Sequence, residues 1–155
     1  MNPHEYEVDI AWSNDRKGIM CSPELAGINP NAGGCIEVAT PPEFPKGIPG
    51  IWSPEHLFTA SVSSCLMTTF LAIADNSKLD FVSFRCKSYG KLEQVEGKFM
   101  MTEVRLVPTV VVRDAKDIER GLKVLQKAEA NCLISNSVKA RVTMEPVVEA
   151  ETVVA

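Results

Sequence analysis

Two cysteines have the type and setting to do covalent chemistry. Cys65 lies in the middle of the longest apolar stretch of the chain, residues 54–74, which carries almost no charge after its first turn. Cys132 comes much later, in Ala128-Glu129-Ala130-Asn131-Cys132-Leu133-Ile134-Ser135-Asn136-Ser137, where a helix gives way to a cap-like cluster. A thiol on a buried helix together with a remote thiol at a helix end is a layout suited to peroxide reduction. Against this stands ordinary packing: an unpaired cysteine is among the most buried residue types and commonly behaves as a small hydrophobe. Cys21, Cys35 and Cys86 fall in expected strands and are assigned structural or incidental roles.

A nucleophilic Cys65 must lose its proton more readily than a free thiol, and apolar burial pushes the other way, so a cation is needed. Arg16, in the turn Asp15-Arg16-Lys17-Gly18, is the nearest thing to an unclaimed cation in a turn, since Arg85, Arg105 and Arg113 lie in or at the end of strands. An arginine stays charged at any working pH and can hold a carboxylate and a thiolate together. Glu55 stands in the first turn of the apolar helix, where a carboxylate also serves the helix dipole. It precedes Cys65 by ten residues, about 15 Å along a helix. It therefore cannot reach its own Cys65, and would serve the thiol of a partner across antiparallel helices related by a two-fold axis. His56 has nothing at nucleophile spacing and reads as structural or solvent-facing.

The elements that position these residues form a βββ-α-ββ-α-β series, an α+β arrangement. Strands are expected over residues 6–12 and 18–25 with a hairpin turn at 13–18, and a short third strand over 35–39. A proline-rich loop over 41–52 cannot form regular structure. Ser53-Pro54-Glu55 is a strong helix start, with Ser53 as cap and Pro54 in the first helical position. The central helix is expected over 53–77. Its apolar residues surround the cylinder, so it is buried on most sides, with a partner subunit as part of its cover. Two long strands, 81–92 and 98–112, make a hairpin through Gln94-Val95-Glu96-Gly97. Pro108 suggests an edge or a bulge. Asp114 caps a second helix whose stripe is Ile118, Leu122, Leu125 and Ala128. A final strand runs over 139–148, and the whole chain, 1–155, is taken as one domain with its C-terminal strands and helix over 81–148.

Composition narrows the function. With 155 residues, 45% hydrophobic and 23% charged, the chain has the makeup of a globular domain. A net charge of −4 and scattered basic residues give no reason to expect nucleic acid or an anionic membrane. No secretory leader and no uninterrupted apolar run of about 18 residues is visible, so a cytoplasmic location is expected. There the five cysteines should be reduced unless oxidation is part of turnover. Without a CxxC pair, and with only His4 and His56 as histidines, a metal site is not expected.

The chain resembles the OsmC/Ohr superfamily, the osmotically inducible and organic hydroperoxide resistance proteins. The matching elements are Ser53-Pro54-Glu55-His56-Leu57-Phe58, Ser64-Cys65, the Ala128–Ser135 segment around Cys132, and Val142-Thr143-Met144-Glu145. The order of strands and helices agrees over essentially the whole chain. The resemblance implies an intertwined homodimer with two long central helices packed together and active sites at the interface. It also implies that Cys65 is the peroxidatic thiol, Cys132 the resolving thiol, Arg16 the cation, and Glu55 the carboxylate that orients it. No bound cofactor and no metal are implied; the external reductant would be a lipoyl-type dithiol. Two departures stand out: Leu133 replaces the proline that often follows the second cysteine, and the stretch around Arg16 is short and variable.

The activity so implied is reduction of organic hydroperoxides, or also hydrogen peroxide, through a sulfenate and an intramolecular disulfide. Phe58, Leu66, Met67 and Phe70 would either favour alkyl substrates or serve only as packing. A thiol–disulfide oxidoreductase, a non-catalytic dimeric binder of a small apolar ligand, and a structural stress protein are the alternatives.

Overall fold

The computed structural model describes residues 1–27 and 33–151. Residues 28–32, inside the expected N-terminal strand region, lie outside the described set. The element order is β1 (Asp9–Asn14), β2 (Lys17–Cys21), β3 (Cys35–Ala39), α1 (Pro54–Asn76), β4 (Phe81–Val95), β5 (Lys98–Val112), α2 (Ile118–Ala130), β6 (Arg141–Met144) and β7 (Val147–Ala150). The chain divides into two compact units, one ending at Leu57 and the other beginning at Phe58.

In the first unit, β1, β2 and β3 form an antiparallel meander. Both hairpin strands are displaced from expectation: β1 starts later and β2 ends at Cys21. The hairpin turn tightens to Asp15-Arg16, with Asp15 at φ 49°, a left-handed conformation that a short polar side chain tolerates. Trp12 Nε1 donates to Asp15 O at 3.0 Å and Ser13 Oγ to Lys17 O at 3.2 Å. Gly18 is required beside this turn, because a Cβ there would sit 2.5 Å from Ala11 O on β1. The helix start behaves as expected: Ser53 Oγ accepts from His56 N at 3.2 Å. It also shares a 2.6 Å hydrogen bond with His56 Nδ1, and the His56 ring meets Trp52 edge to face. His56 is thus a structural residue.

In the second unit, α1 contributes Val62, Leu66, Phe70 and Ala74 to one core with Val104, Leu106, Val110 and Val112 of β5 and Val124, Leu125 and Ala128 of α2. The Phe70 ring packs on Phe81 and Phe84, with centroids 5.1 and 5.0 Å away. Burying such a side chain stabilises the fold by about 1.5–3 kcal/mol. By length and mean hydropathy (1.7), α1 is also apolar enough to cross a membrane, a test that core helices pass too. It is not enclosed all round, however. Met67 and Leu71 are 39% and 42% exposed, and with Ser64 and Thr68 they mark an open stripe at helical spacing. Just past the end of α1 at Asn76, Lys78 takes a left-handed φ of 52° while Leu79 N donates back to Ala74 O.

Pro108 is neither at an edge nor in a bulge. It sits inside β5, opposite Cys86 of β4, in an unbroken stretch of register. On the other side of β5 the expected single final strand is interrupted. β6 pairs in parallel as far as Leu106↔Met144, and β7 resumes at Thr109↔Val147 with the same offset. The interruption falls where Pro108 and Pro146 face each other, both without an N–H to donate. The second helix is entered through a 3₁₀ turn, Ala115–Asp117, in which Asp114 Oδ1 accepts from Lys116 N at 3.0 Å.

Candidate functional site

The four residues expected to act fall into two pairs, Arg16 with Glu55 in the first unit and Cys65 with Cys132 in the second. Arg16 stands on the hairpin turn, its carbonyl accepting from Thr40 N at 3.1 Å. Together with Glu55, it lines a cavity of about 680 Å³ whose walls include Ile10, Trp12, Val38 and Phe44. Glu55 comes into the cavity because the Ser53 cap fixes the first turn of α1. A second cavity, lined by Asp15, Lys46 and Ile48, shares Arg16 as a wall. Arg16 therefore borders two recesses, one of them largely apolar.

Cys65 and Cys132 are both free thiols and both buried, 8% and 0% exposed. Cys65 faces the core from mid-helix, one residue before Leu66. Cys132 follows the last turn of α2, its N–H bonded to Glu129 O and its carbonyl accepting from Asn136 N. This irregular turn brings the thiols together. Burial works against ionisation of Cys65, but the Cys132 S–H, the Ile134 amide, the Thr69 hydroxyl and the Leu133 amide all donate toward its sulfur. Their combined effect holds the Cys65 thiol below the usual range. The Thr69 Oγ1 is 3.9 Å from the sulfur. Cys132 is pushed the opposite way, first by burial and then by its bond and charge repulsion with Cys65, only partly offset by Ser135. The pair is thus drawn apart, Cys65 downward and Cys132 upward from the ordinary thiol value.

Sequence reasoning looked for a distant cation and missed these local donors. Thr69 was legible as the residue four positions after Cys65 on the same helix face. The two amides were not, because they depend on how the chain turns after α2. Leu66 and Phe70, considered as possible substrate contacts, are wholly buried in the core.

Beside Cys132 lies a second polar feature. Glu129 is raised above the usual carboxylate range by burial, with Ser135 pulling weakly the other way. Glu129 Oε2 and Ser135 Oγ are both buried without a well-formed hydrogen bond, so the contact with Ser135 draws the Glu129 carboxyl only partly back. Cys86 on β4 is raised too, by burial and then by the nearby Glu129 charge, against donors at Ser88 and Val107.

The expectation of five reduced cysteines fails at Cys21 and Cys35, which form a disulfide. β2 ends and β3 begins at positions directly opposite in the antiparallel register, so the two side chains meet across the sheet.

Comparison with known proteins agrees with this architecture. The OsmC-like protein family matches residues 47–147. An OsmC-like protein of unknown function from Vibrio cholerae has a TM-score of 0.80 at 25% identity, covering 94% of this chain and 100% of that one. An organic hydroperoxide resistance protein from Elizabethkingia anophelis has a TM-score of 0.72 at 20% identity, covering 97% and 99%. Among curated proteins, the uncharacterized protein YmaD of Bacillus subtilis is 26% identical over 96 residues, spanning 60% of this chain and 64% of the relative's length. With the mixed α+β fold and the family match over most of its length, the chain belongs to the OsmC-like family.

Proposed function

We propose that the protein is a cysteine-based hydroperoxide reductase. The observation that carries this is the thiol pair itself: Cys65 and Cys132, far apart in sequence, are both free, both buried and close enough to hydrogen-bond, with Cys65 held below the usual thiol range. A peroxidatic thiolate and a protonated resolving thiol are what the cycle requires.

In the first step the Cys65 thiolate attacks one peroxide oxygen. The O–O bond breaks, an alcohol leaves after taking up a proton, and Cys65 becomes a sulfenic acid. Cys132 then condenses with it, forming the intramolecular disulfide and releasing water. An external dithiol of the lipoyl type returns two electrons and two protons by exchange. Arg16 supplies the permanent positive charge for the thiolate and Glu55 orients it, the roles that family resemblance assigns. The working unit is a homodimer that covers the open stripe of α1. Relatives described as organic hydroperoxide resistance proteins share the fold, which favours an alkyl hydroperoxide over hydrogen peroxide.

Consumption of an alkyl hydroperoxide by the pre-reduced protein, with a dithiol as the only reductant, tests this. Wild type is expected to turn over and Cys65→Ser to be inert. One equivalent of peroxide should remove two hydrogens, mapping to Cys65–Cys132. Persistent free thiols at both positions would exclude the cycle.

A further inference from the structure

The disulfide outside the thiol pair has the features of an exchange site. Cys35 is exposed at the start of β3, and Cys21 is half-buried at the end of β2. They are opposite residues of a five-pair ladder, with Ser22 N donating to Gly34 O just beyond them. A bond at the end of so short a ladder can open without dismantling a core, since neither cysteine belongs to one. A cavity of about 570 Å³ abuts both cysteines and is lined also by Glu7, Asp9, Ser22 and Gly34. An incoming thiol therefore has room to approach at Cys35, an exposed residue, and access is a main determinant of exchange rate.

Among the described residues that line the cavity, the charged ones have one sign. Glu7 and Asp9 are wall residues, and Glu7 N donates to the carboxylate of Glu24 at 3.1 Å. Between Cys21 and Cys35, Glu24 is the sole charged residue in the sequence, and the basic residues of the hairpin, Arg16 and Lys17, lie at the other end of β2. Two or three carboxylates within a Debye length lower the local concentration of an anion and raise that of a cation.

We propose that Cys21–Cys35 is a second, surface thiol–disulfide exchange site that accepts neutral or cationic thiols and discriminates against anionic ones. It acts independently of the Cys65–Cys132 pair. An external thiolate attacks Cys35 Sγ, the S–S bond breaks, and Cys21 leaves as a thiolate that takes a proton from water. A second external thiol resolves the mixed disulfide, so that two thiols are oxidised to one external disulfide as the protein gains two thiols.

The test is reduction of the unaltered protein by cysteamine, 2-mercaptoethanol and mercaptosuccinate at low salt. The state of Cys21 and Cys35 is mapped by alkylation and mass spectrometry, and rates are normalised to each reagent's rate on a small neutral disulfide. Cysteamine should exceed mercaptosuccinate by roughly tenfold. The ratio should shrink with added salt and approach one in Glu7→Gln/Asp9→Asn, a surface variant that leaves both cysteines in place. Equal normalised rates, a preference for the anion, or a bridge that persists when the reference disulfide is fully reduced would overturn it. None of these readouts involves peroxide, so a failed peroxidase assay leaves the result standing, and the reverse also holds.

Discussion

The Cys132 thiol lies within hydrogen-bonding reach of the Cys65 sulfur, and the next two amides of the same turn, Leu133 and Ile134, favour the charged form of that sulfur as well. A single irregular segment thus delivers both the second thiol and part of the field that ionises the first. Any movement of this turn that brings Cys132 toward disulfide geometry also changes the donors around Cys65, coupling the first step of the cycle to the second.

Removing one donor should be visible without any peroxide. Thr69→Val takes away a hydroxyl 3.9 Å from the Cys65 sulfur and nearly preserves volume. The midpoint of iodoacetamide alkylation at Cys65 should move to higher pH, and the rate at neutral pH should fall by roughly three- to tenfold. Peptide mapping separates this from Cys86 and Cys132, both raised and expected to react more slowly. An unchanged midpoint would mean the hydroxyl contributes nothing.

The open stripe of α1 provides a test of assembly. Leu71, 42% exposed, lies beside Met67 on the face of α1 that the proposed dimer would cover. Leu71→Lys should shift the protein from dimer to monomer in light scattering at micromolar concentration, with its circular dichroism intact. A wild-type protein that is already monomeric at that concentration would sink the dimer.

The core makes the opposite prediction for a neighbouring helix face. Phe70 is 0% exposed and packs on two other phenylalanines, so Phe70→Ala should cost about 3–5 kcal/mol in denaturant unfolding. Met67→Ala, measured with the protein diluted to monomer, should cost under about 1 kcal/mol. Comparable losses at both positions would show that the two faces of α1 are not distinguished in this way.

How far these features were legible in the sequence depended on whether they are local. The Ser53-Pro54 helix start and the stripe of α2 rest on neighbours within a turn and appear as expected at Ile118, Leu125 and Ala128, whereas Leu122, expected in the same stripe, is only partly buried and outside the core cluster. The thiols were recognisable by type and by setting. Features that need two distant segments were not. The Cys21–Cys35 bridge depends on β2 and β3 ending in the same register, and its spacing in sequence carries no such signal. Pro108 looked like an edge marker because its harmless position, facing Pro146 across the sheet, depends on the register of a strand nearly forty residues away. The amides at Cys65 belong to the same class.

Glu129 allows the pH dependence of folding to be worked out with its sign. Burial raises its folded-state pKa above the unfolded carboxylate value, about 4.3. Below that value both states hold the proton, and the residue adds nothing to the pH dependence. Above it the unfolded chain releases the proton while the folded chain keeps it. The unfolded state then binds fewer protons, and stability falls as pH rises, until the folded carboxyl has also ionised. This is the reverse of a salt-bridged acid, and it follows from a buried Oε2 without a well-formed hydrogen bond. Glu129→Gln removes the titration and keeps the shape. The difference in unfolding free energy between variant and wild type should therefore shift in favour of the variant as pH rises from 4 to neutrality. Chemical denaturation across that range provides the measurement. A difference that stays flat, or that moves toward wild type, would mean that the Glu129 carboxyl is solvated or paired in solution.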